Sequence, residues 1–449
     1  MTTTRTSSLS VDEKRDLLAD LIRKKMQRSP NGEPPPVNTA TQAIDDHRKQ
    51  FPALDNKTYF NFGAHGTLPR PALNAVLESW EYMQKWGPFS TEVNDWIQQE
   101  IGQTITCFGT LIGATSETIA LTENVTAGCN IILWGLDWQH GDHILISDCE
   151  NPGIVAAIQE VARRFRLDIS TFRVDASEDE TIESLARGLR SNTRLVVISH
   201  VLWNTGQVLP LTKIAQLCRA NRTAHGRTLL LVDGAQSVGV LPLKLAASGA
   251  DFYAFTSHKW LCGPEGVGGL FVAPESLEFA QPTFVGWRSV KIDEHDGSFS
   301  WQPGAHRFHV STSAYPLFAG LRRAISIHDA FASIEKRYDR ILELSRYAWE
   351  RLQTAGLECL QPSAPQTGLI TFRSKHHAPH KVVRYLETED CYTRFMYEPE
   401  CVRLSLHYFT THKEIDRLVD LLQTHEQRGP AKILGEMRDG NSYSYQANA

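Results

Sequence analysis

No stretch of this chain stays apolar over the ~20 residues that a helix needs to cross a bilayer. Its opening residues, Met1 to Ser8, are polar and rich in threonine and serine, without the apolar core of a secretory signal. The eight cysteines, at 107, 129, 149, 218, 262, 359, 391 and 401, never fall into C-x-x-C pairs. That spacing argues against a zinc site or a disulfide framework and for reduced, mostly buried thiols. No basic block is long enough to track a phosphate backbone and the net charge is −5, so nucleic acid is not an expected partner. The expectation is a cytoplasmic protein with no membrane contact. The histidine tract HHAPH (376–380), on an expected loop with Pro379, reads as exposed polar sequence rather than as a set of metal ligands.

What is present is an ordinary globular composition, 41% apolar and 22% charged over 449 residues, enough for a large core and two or three domains. From residue 100 to 275, β-rich runs alternate with helical segments. The runs are TIALT (118–122), HILIS (143–147), DISTF (168–172), RLVVIS (194–199), TLLLV (228–232), FYAF (252–255) and GGLFV (268–272), with helices such as 151–165 and 212–222 between them. Seven buried strands alternating with helices predict an α/β domain around a mostly parallel sheet. Ligands in such sheets bind beyond the carboxyl ends of the strands.

Two residues would lie there. Asp233 ends the apolar run of TLLLVDGAQS, and 26 positions later Lys259 stands in TSHKWLCGPEGVGGLFV. An aspartate at a strand end, then a strand, then Ser-His-Lys and a glycine-rich turn, is the arrangement a pyridoxal phosphate (PLP) site requires. The amine can form a Schiff base with the cofactor aldehyde, and a buried carboxylate can keep the pyridine nitrogen protonated. Upstream, Thr126, Ala127 and Gly128 in NVTAGCNIILWGL lead into a helix whose start can offer N–H donors to a phosphate.

At the ends of the chain the pattern changes. Residues 9–28 place Leu17, Leu18, Leu21 and Ile22 on one helical stripe behind a Ser10/Glu13 capping box, and SPNGEPPP (29–36) is a proline-rich linker. This helix packs on the same protein or docks a partner, and it resembles the helical openings of nonribosomal peptide synthetase modules. The expected division is residues 1–36 for helix and linker, 37–314 for a large PLP-binding domain whose first segment contacts the small one, 315–428 for a smaller α+β domain, and 429–449 for a flexible tail. In the small domain a long helical stretch runs to about Leu352, followed by ITFRS (370–374), CVRLSLHYF (401–409) and a closing helix.

The stretches YFNFGAHGTLP (59–69), TENVTAGCNIILWGLDWQHGD, SHVLWNTGQVLPL, LVDGAQSVGVLPL, TFVGWRS, STSAYP and CVRLSLHYFT together resemble the aminotransferase class V superfamily of fold-type I PLP enzymes, and within it the cyanobacterial L-cysteine/cystine C–S lyases. The resemblance implies a homodimer in which Lys259 carries the cofactor and Asp233 pairs with its ring nitrogen. It implies that Thr126, Ala127, Gly128 and His258 bind phosphate, that Gln236 lies near O3′, and that Thr312 reaches the phosphate from the neighbouring subunit. Arg403 would clamp the substrate carboxylate. Arg394 and Trp287 would line the substrate pocket, with a solvated arginine and ordinary packing as their alternatives.

Two positions depart from the lyases. Asn151, in DCENPG, stands where they carry a histidine that stacks on the ring, and His65 stands where they carry a glutamine. Cys401 lies only two residues before Arg403, which disfavours a persulfide-forming desulfurase and suits a small core residue. The function implied is β-elimination from cysteine, cystine or a related sulfur amino acid. Other PLP chemistry, such as epimerisation, decarboxylation or transamination of a free or carrier-bound substrate in natural-product biosynthesis, is the alternative, and a non-catalytic scaffold is the third reading.

Overall fold

The computed structural model describes residues 40–293 and 295–428. The chain forms two compact units, Met1–Asp46 and His47–Ala449, and the following concerns the second. The expected N-terminal helix, its linker and the tail from 429 lie outside the described residues. The expected division at 314/315 falls inside the second unit.

Seven strands form the central sheet: β1 (Ile119–Thr122), β2 (His143–Ser147), β3 (Asp168–Phe172), β4 (Thr193–Ser199), β5 (Leu229–Asp233), β6 (Phe252–Thr256) and β7 (Gly268–Val272). Their spatial order is β1-β7-β6-β5-β4-β2-β3. All neighbours run parallel except β7, which is antiparallel to both β1 and β6. The near-continuous apolar runs follow from burial of both faces. Leu230, Val232, Val196 and Ile198 enter one core layer, and Leu229, Leu231, Leu195 and Val197 enter the other.

The first layer is closed by helices α2 (Thr91–Ile112), α5 (Glu178–Gly188), α6 (Leu211–Ala220) and α7 (Tyr315–Phe331), and α1 (Arg70–Trp86) packs along α7. The second is closed by α3 (Val125–Gly135) and α4 (Pro152–Phe165).

A four-stranded antiparallel sheet follows, β8 (Glu358–Cys359), β9 (Leu369–Arg373), β10 (Arg394–Tyr397) and β11 (Glu400–Ser405), in the order β8-β9-β11-β10. Ile370, Phe372, Val402 and Leu404 bury one face against α8 (Ile334–Thr354), α9 (Pro379–Thr388) and α10 (His412–Arg428). By strand alternation Thr371, Arg403 and Ser405 occupy the other face. The segment before α1 joins this sheet's end of the molecule. Thr58–Tyr59 pair with Cys391–Tyr392, and Asn61 bridges to Ser405.

Local chemistry corrects several expectations. The long helical stretch is two helices, because Ala332 is extended and the Ser333 hydroxyl caps α8 by accepting from Lys336 N–H. The helix expected over 212–222 stops at Ala220, and Arg222–Thr223 pair instead with Gly226–Arg227. The strand expected over 401–409 ends at Ser405. His377 of the tract read as exposed is buried, stacked on His425 and bonded to its carbonyl, while Pro379 opens α9.

Behind the Lys259 turn lies a buried cluster of His47, His328, His407 and Tyr408. Leu261 O can only accept, so His328 Nε2 carries a proton and donates to it (3.0 Å). Its Nδ1 accepts from the Tyr408 hydroxyl (2.8 Å), whose oxygen accepts from His47 Nε2 (2.7 Å). His407 donates from Nε2 to Trp260 O (2.9 Å) and accepts Tyr408 N–H at Nδ1 (3.0 Å). Cys262, His328 and His407 also present ligand atoms within 4.8 Å of one another. Both nitrogens of each of the two imidazoles are already committed, so the arrangement is a hydrogen-bonded core.

Burial lowers the histidine pKa values, to about 4 for His47, to about 3 for His407, and well below the ordinary value for His328. The unfolded chain therefore takes up these protons first as pH falls. Their contribution to stability is complete above the unfolded value near 6.5 and is lost as pH falls from there to about 4 for His47 and about 3 for His407. Each group adds a slope of about 1.4 kcal/mol per pH unit inside that window. Denaturant unfolding followed from pH 7.5 to 5 should show stability falling steeply with acid. A flat profile would contradict the buried neutral cluster.

Candidate functional site

The carboxyl ends of β2, β4, β5 and β6 bring Ser147, Ser199, Asp233 and Thr256 to one edge of the sheet, and the chain then turns through Ser257, His258 and Lys259. Asp233 pairs in register with Ser199 on one side and Ala254 on the other. Its carboxylate is buried and accepts Ala235 N–H at 2.8 Å. Burial raises its pKa, opposed by the Lys259 charge and that N–H. Lys259 is half-buried, and burial lowers its amine to about 8 against the pull of Asp233, with Arg403 and Arg394 pushing the same way as burial. An amine with that pKa is partly neutral near pH 7.5, as a nucleophile or proton acceptor must be.

The turn is approached closely by the loop before α1. A Cβ at Gly66 would meet Lys259 O at 2.0 Å, and one at Gly63 would meet Ser405 Oγ at 2.8 Å and Gln236 Oε1 at 3.3 Å. Only glycine allows this loop to lie against both the lysine turn and the second sheet. Gln236 is fully engaged across the gap, donating from Nε2 to Gly63 O (2.8 Å) and accepting Trp260 Nε1–H (2.8 Å). His258 bonds through Nδ1 to Thr256 Oγ1 (2.7 Å), and burial, Lys259 and His65 lower its pKa to about 4. His65 is exposed, pairs with Glu265 at 3.1 Å and lies 5.5 Å from the His258 ring.

Arg403 is 2% exposed and donates from Nη1 to Trp203 O at 2.6 Å. Its Nε has no partner, nor have the neighbouring Thr371 Oγ1 and Ser405 Oγ on the same face, nor Trp203 Nε1. Arg394, directly opposite Arg403 across β10 and β11, is exposed, and its charge adds to burial in lowering the Arg403 pKa to about 9. Among the described residues no carboxylate pairs with Arg403. A buried guanidinium with unsatisfied donors is a receptor for an anion.

At α3 the structure alters the picture of three equivalent donors. Asn124 caps the helix, accepting Ala127 N–H at its side chain (2.9 Å) and Gly128 N–H at its carbonyl (3.1 Å). Of the three, Thr126 alone keeps a backbone N–H without a protein acceptor among the described residues. Ala127 lines a cavity of about 810 Å³ together with Gly266, Arg288 and Thr312. Trp287 is 52% exposed and donates to Ser311 Oγ (2.9 Å), with the Arg288 guanidinium 4.3 Å from its ring. Among the described residues no hydrogen bond or ring contact joins Trp287 or Thr312 to Lys259, Asp233, Gln236 or Arg403.

Asn151 is half-buried and caps α4, its Oδ1 accepting Gly153 N–H at 2.9 Å. Sequence reasoning overlooked its neighbour Glu150. That carboxylate is buried and accepts from Ser147 Oγ (2.5 Å), Ser199 Oγ (2.7 Å) and Ser199 N–H (2.8 Å), tying the ends of β2 and β4 together. Burial pushes its pKa up to about 7 despite those bonds, with Asp233 adding to the rise. A second acid three residues after an apolar strand, inside DCENPG, was the available signal. Trp203 was also missed, because it serves Arg403 through its backbone carbonyl, which any residue carries.

Residues 64–418 match the aminotransferase class-V family. The chain is 44% identical to C-DES in a structure of a variant with glycine covalently linked to the PLP cofactor, at a TM-score of 0.81 over 84% of this chain and 98% of that one. A complex of C-DES, described as a cystine C–S lyase, with its product cysteine persulfide gives 44% identity and a TM-score of 0.80 over 83% and 99%. Isopenicillin N epimerase of Streptomyces clavuligerus is 31% identical over 81% of this chain and 93% of its own length. The sheet order, the antiparallel β7 and the extent of these matches are those of a fold-type I enzyme, and the chain belongs to the aminotransferase class-V family.

Proposed function

We propose that this chain is a PLP-dependent C–S lyase that removes a sulfur leaving group from Cβ of cysteine, cystine or a related amino acid. The observation that carries the proposal is the convergence of Lys259, Asp233 and Arg403 on one space, two cations and one carboxylate, with Arg403 lacking an anionic partner. The residues fit the cofactor. A half-buried amine stands beside a buried carboxylate, Thr126 N–H is free at a helix start, and Gly66 brings the loop against the lysine turn while Gly63 brings it against the second sheet.

Lys259 would hold the cofactor, Asp233 would face its ring nitrogen, and Gln236 would lie near O3′. Thr126 N–H and His258 would bind its phosphate at the helix start formed by Ala127 and Gly128, whose own N–H groups Asn124 occupies, joined by Thr312 of a second subunit in a homodimer. When bound, PLP supplies an aldehyde that condenses with amines and a ring that accepts the electron pair left at the substrate Cα. Arg403 binds the α-carboxylate, and its burial makes the ion pair stronger than one at the surface. Lys259 Nζ, near pKa 8, takes the Cα proton. Arg394, Trp287 and His65 would line the substrate's outer end, and Asn151 would lie over the ring without stacking on it.

The proposal extends to a cytoplasmic setting, to separate domains over 37–314 and 315–428, and to the N-terminal segment as the contact for a synthetase or carrier protein. Among the described residues no helix is long and apolar enough to cross a membrane. A second reading, epimerisation, is favoured by the 31% identity to isopenicillin N epimerase and by Asn151 in place of a stacking group.

Borohydride treatment of the purified holoenzyme should fix the cofactor on Lys259, and Lys259→Ala should abolish that linkage. Cystine, cysteine or their S-conjugates should yield pyruvate and ammonia. Exchange of the Cα proton for solvent deuterium without pyruvate would favour the epimerase reading, and reduced cofactor on a different lysine would overturn both. Arg403→Ala should cost ~2 to 4 kcal/mol in kcat/KM with cofactor content unchanged. Near-wild-type kinetics in that variant would mean that the carboxylate is held elsewhere.

A further inference from the structure

Every carbonyl from His258 to Leu261, the turn that carries Lys259, accepts a hydrogen bond. His258 O accepts from Gly66 N–H (2.6 Å) and Lys259 O from Cys262 N–H (3.1 Å). Trp260 O and Leu261 O accept from side chains, His407 Nε2 (2.9 Å) and His328 Nε2 (3.0 Å). His328 belongs to α7, which packs on the same layer as the turn. His407 belongs to the segment leaving β11, four residues after Arg403. One imidazole thus bonds the strand segment that bears the carboxylate-binding guanidinium to the peptide adjoining the lysine.

The geometry around His407 selects a single donor state. Tyr408 N–H occupies Nδ1, so the proton must sit on Nε2, facing Trp260 O. The ring is 1% exposed and enclosed by Phe409 (4.3 Å between centroids), Phe62 (5.1 Å), His328 (5.4 Å) and Trp260 (5.8 Å). An apolar ring would fill such a space equally well. An imidazole there has its polar atoms satisfied only because it joins two backbones. Trp260 carries the connection further, through Gln236 to Gly63.

We propose that His407 is a positioning residue that sets the Lys259 amine in register with the Arg403 guanidinium, by holding the Trp260 carbonyl against the β11 segment. The proposal rests on the function proposed above, in which both groups act on one amino acid. Two reacting groups carried by different sheets must keep their spacing to a fraction of an ångström for proton transfer at Cα while the carboxylate is held. Among the described residues, His407 supplies the direct side-chain hydrogen bond between the two carriers. It touches neither substrate nor reacting atom and acts through Trp260 and Lys259.

The test separates donor geometry from filling of space. His407→Gln can place an amide N–H near the position of Nε2. His407→Asn can accept from Tyr408 N–H but falls short of Trp260 O. The holoenzymes would be titrated with glycine, which has the amine and carboxylate but no leaving group, following the cofactor absorbance, with KM and kcat for cystine and Tm alongside. Loss of one neutral hydrogen bond at the clamp should raise the glycine half-saturation of His407→Asn about tenfold, while His407→Gln stays within about threefold of wild type. Both should remain loaded on Lys259.

Amide hydrogen exchange in the cofactor-free proteins gives an independent reading. The Gly66 and Cys262 amides, which bond the same turn, should exchange faster in His407→Asn and not in His407→Gln. Equal losses in both variants, losses that follow Tm, or no change in either would overturn the proposal. A wild-type protein that neither responds to glycine nor releases pyruvate from cystine would reject the lyase reading instead, and the exchange contrast would still decide whether His407 registers the turn.

Discussion

The site is organised by a charge imbalance. Asp233, Lys259 and Arg403 are buried or half-buried around one space, two cations to one carboxylate, with Arg394 adding a further positive charge at its edge. Desolvating an unpaired guanidinium costs several kcal/mol unless hydrogen bonds or a counter-ion offset it. One bond to Trp203 O offsets part of that cost for Arg403. Under the proposed function, a substrate carboxylate would supply the partner that the folded chain leaves out. The depressed amine of Lys259 has the same origin, because burial and the two arginines outweigh Asp233.

Much of this was legible in the sequence. The seven strands were readable because both faces of the sheet are buried, which turns each strand into a short apolar run with little ambiguity. Asp233 and Lys259 were readable because one closes such a run and the other follows the next. Arg403 and Arg394 were readable as types, while their placement opposite each other depends on the β10–β11 pairing. What escaped were contacts from a side chain to a distant backbone. His407 to Trp260 O, His328 to Leu261 O and Arg403 to Trp203 O involve carbonyls that carry no residue signature. The Ser333 cap that splits the 315–352 stretch was visible in type, but a serine between two helical patterns reads equally as part of either.

Asn151 shows how one position can answer to two demands. A stacking ring at this place would offer an aromatic face, whereas asparagine before Pro152 is a favoured N-cap. Its carboxamide is spent on Gly153 N–H, so the residue that would lie over the cofactor belongs to the helix rather than to the ring. The neighbouring Glu150, held by two serines, fixes where that helix begins. The loop is thus anchored from its backbone side, independently of what its inward face carries.

The bonds that close the site span long stretches of chain. Gln236 reaches Gly63 across 173 residues, His407 reaches Trp260 across 147, and Arg403 reaches Trp203 across 200. The helices and the hairpins between neighbouring strands need only local contacts, whereas each of these closures requires a large loop to be drawn shut before any bond rewards it. Chain entropy therefore weighs most heavily on the contacts that close this space, and under the proposed function a bound ligand that joins the two sheets would return that cost as added resistance to unfolding.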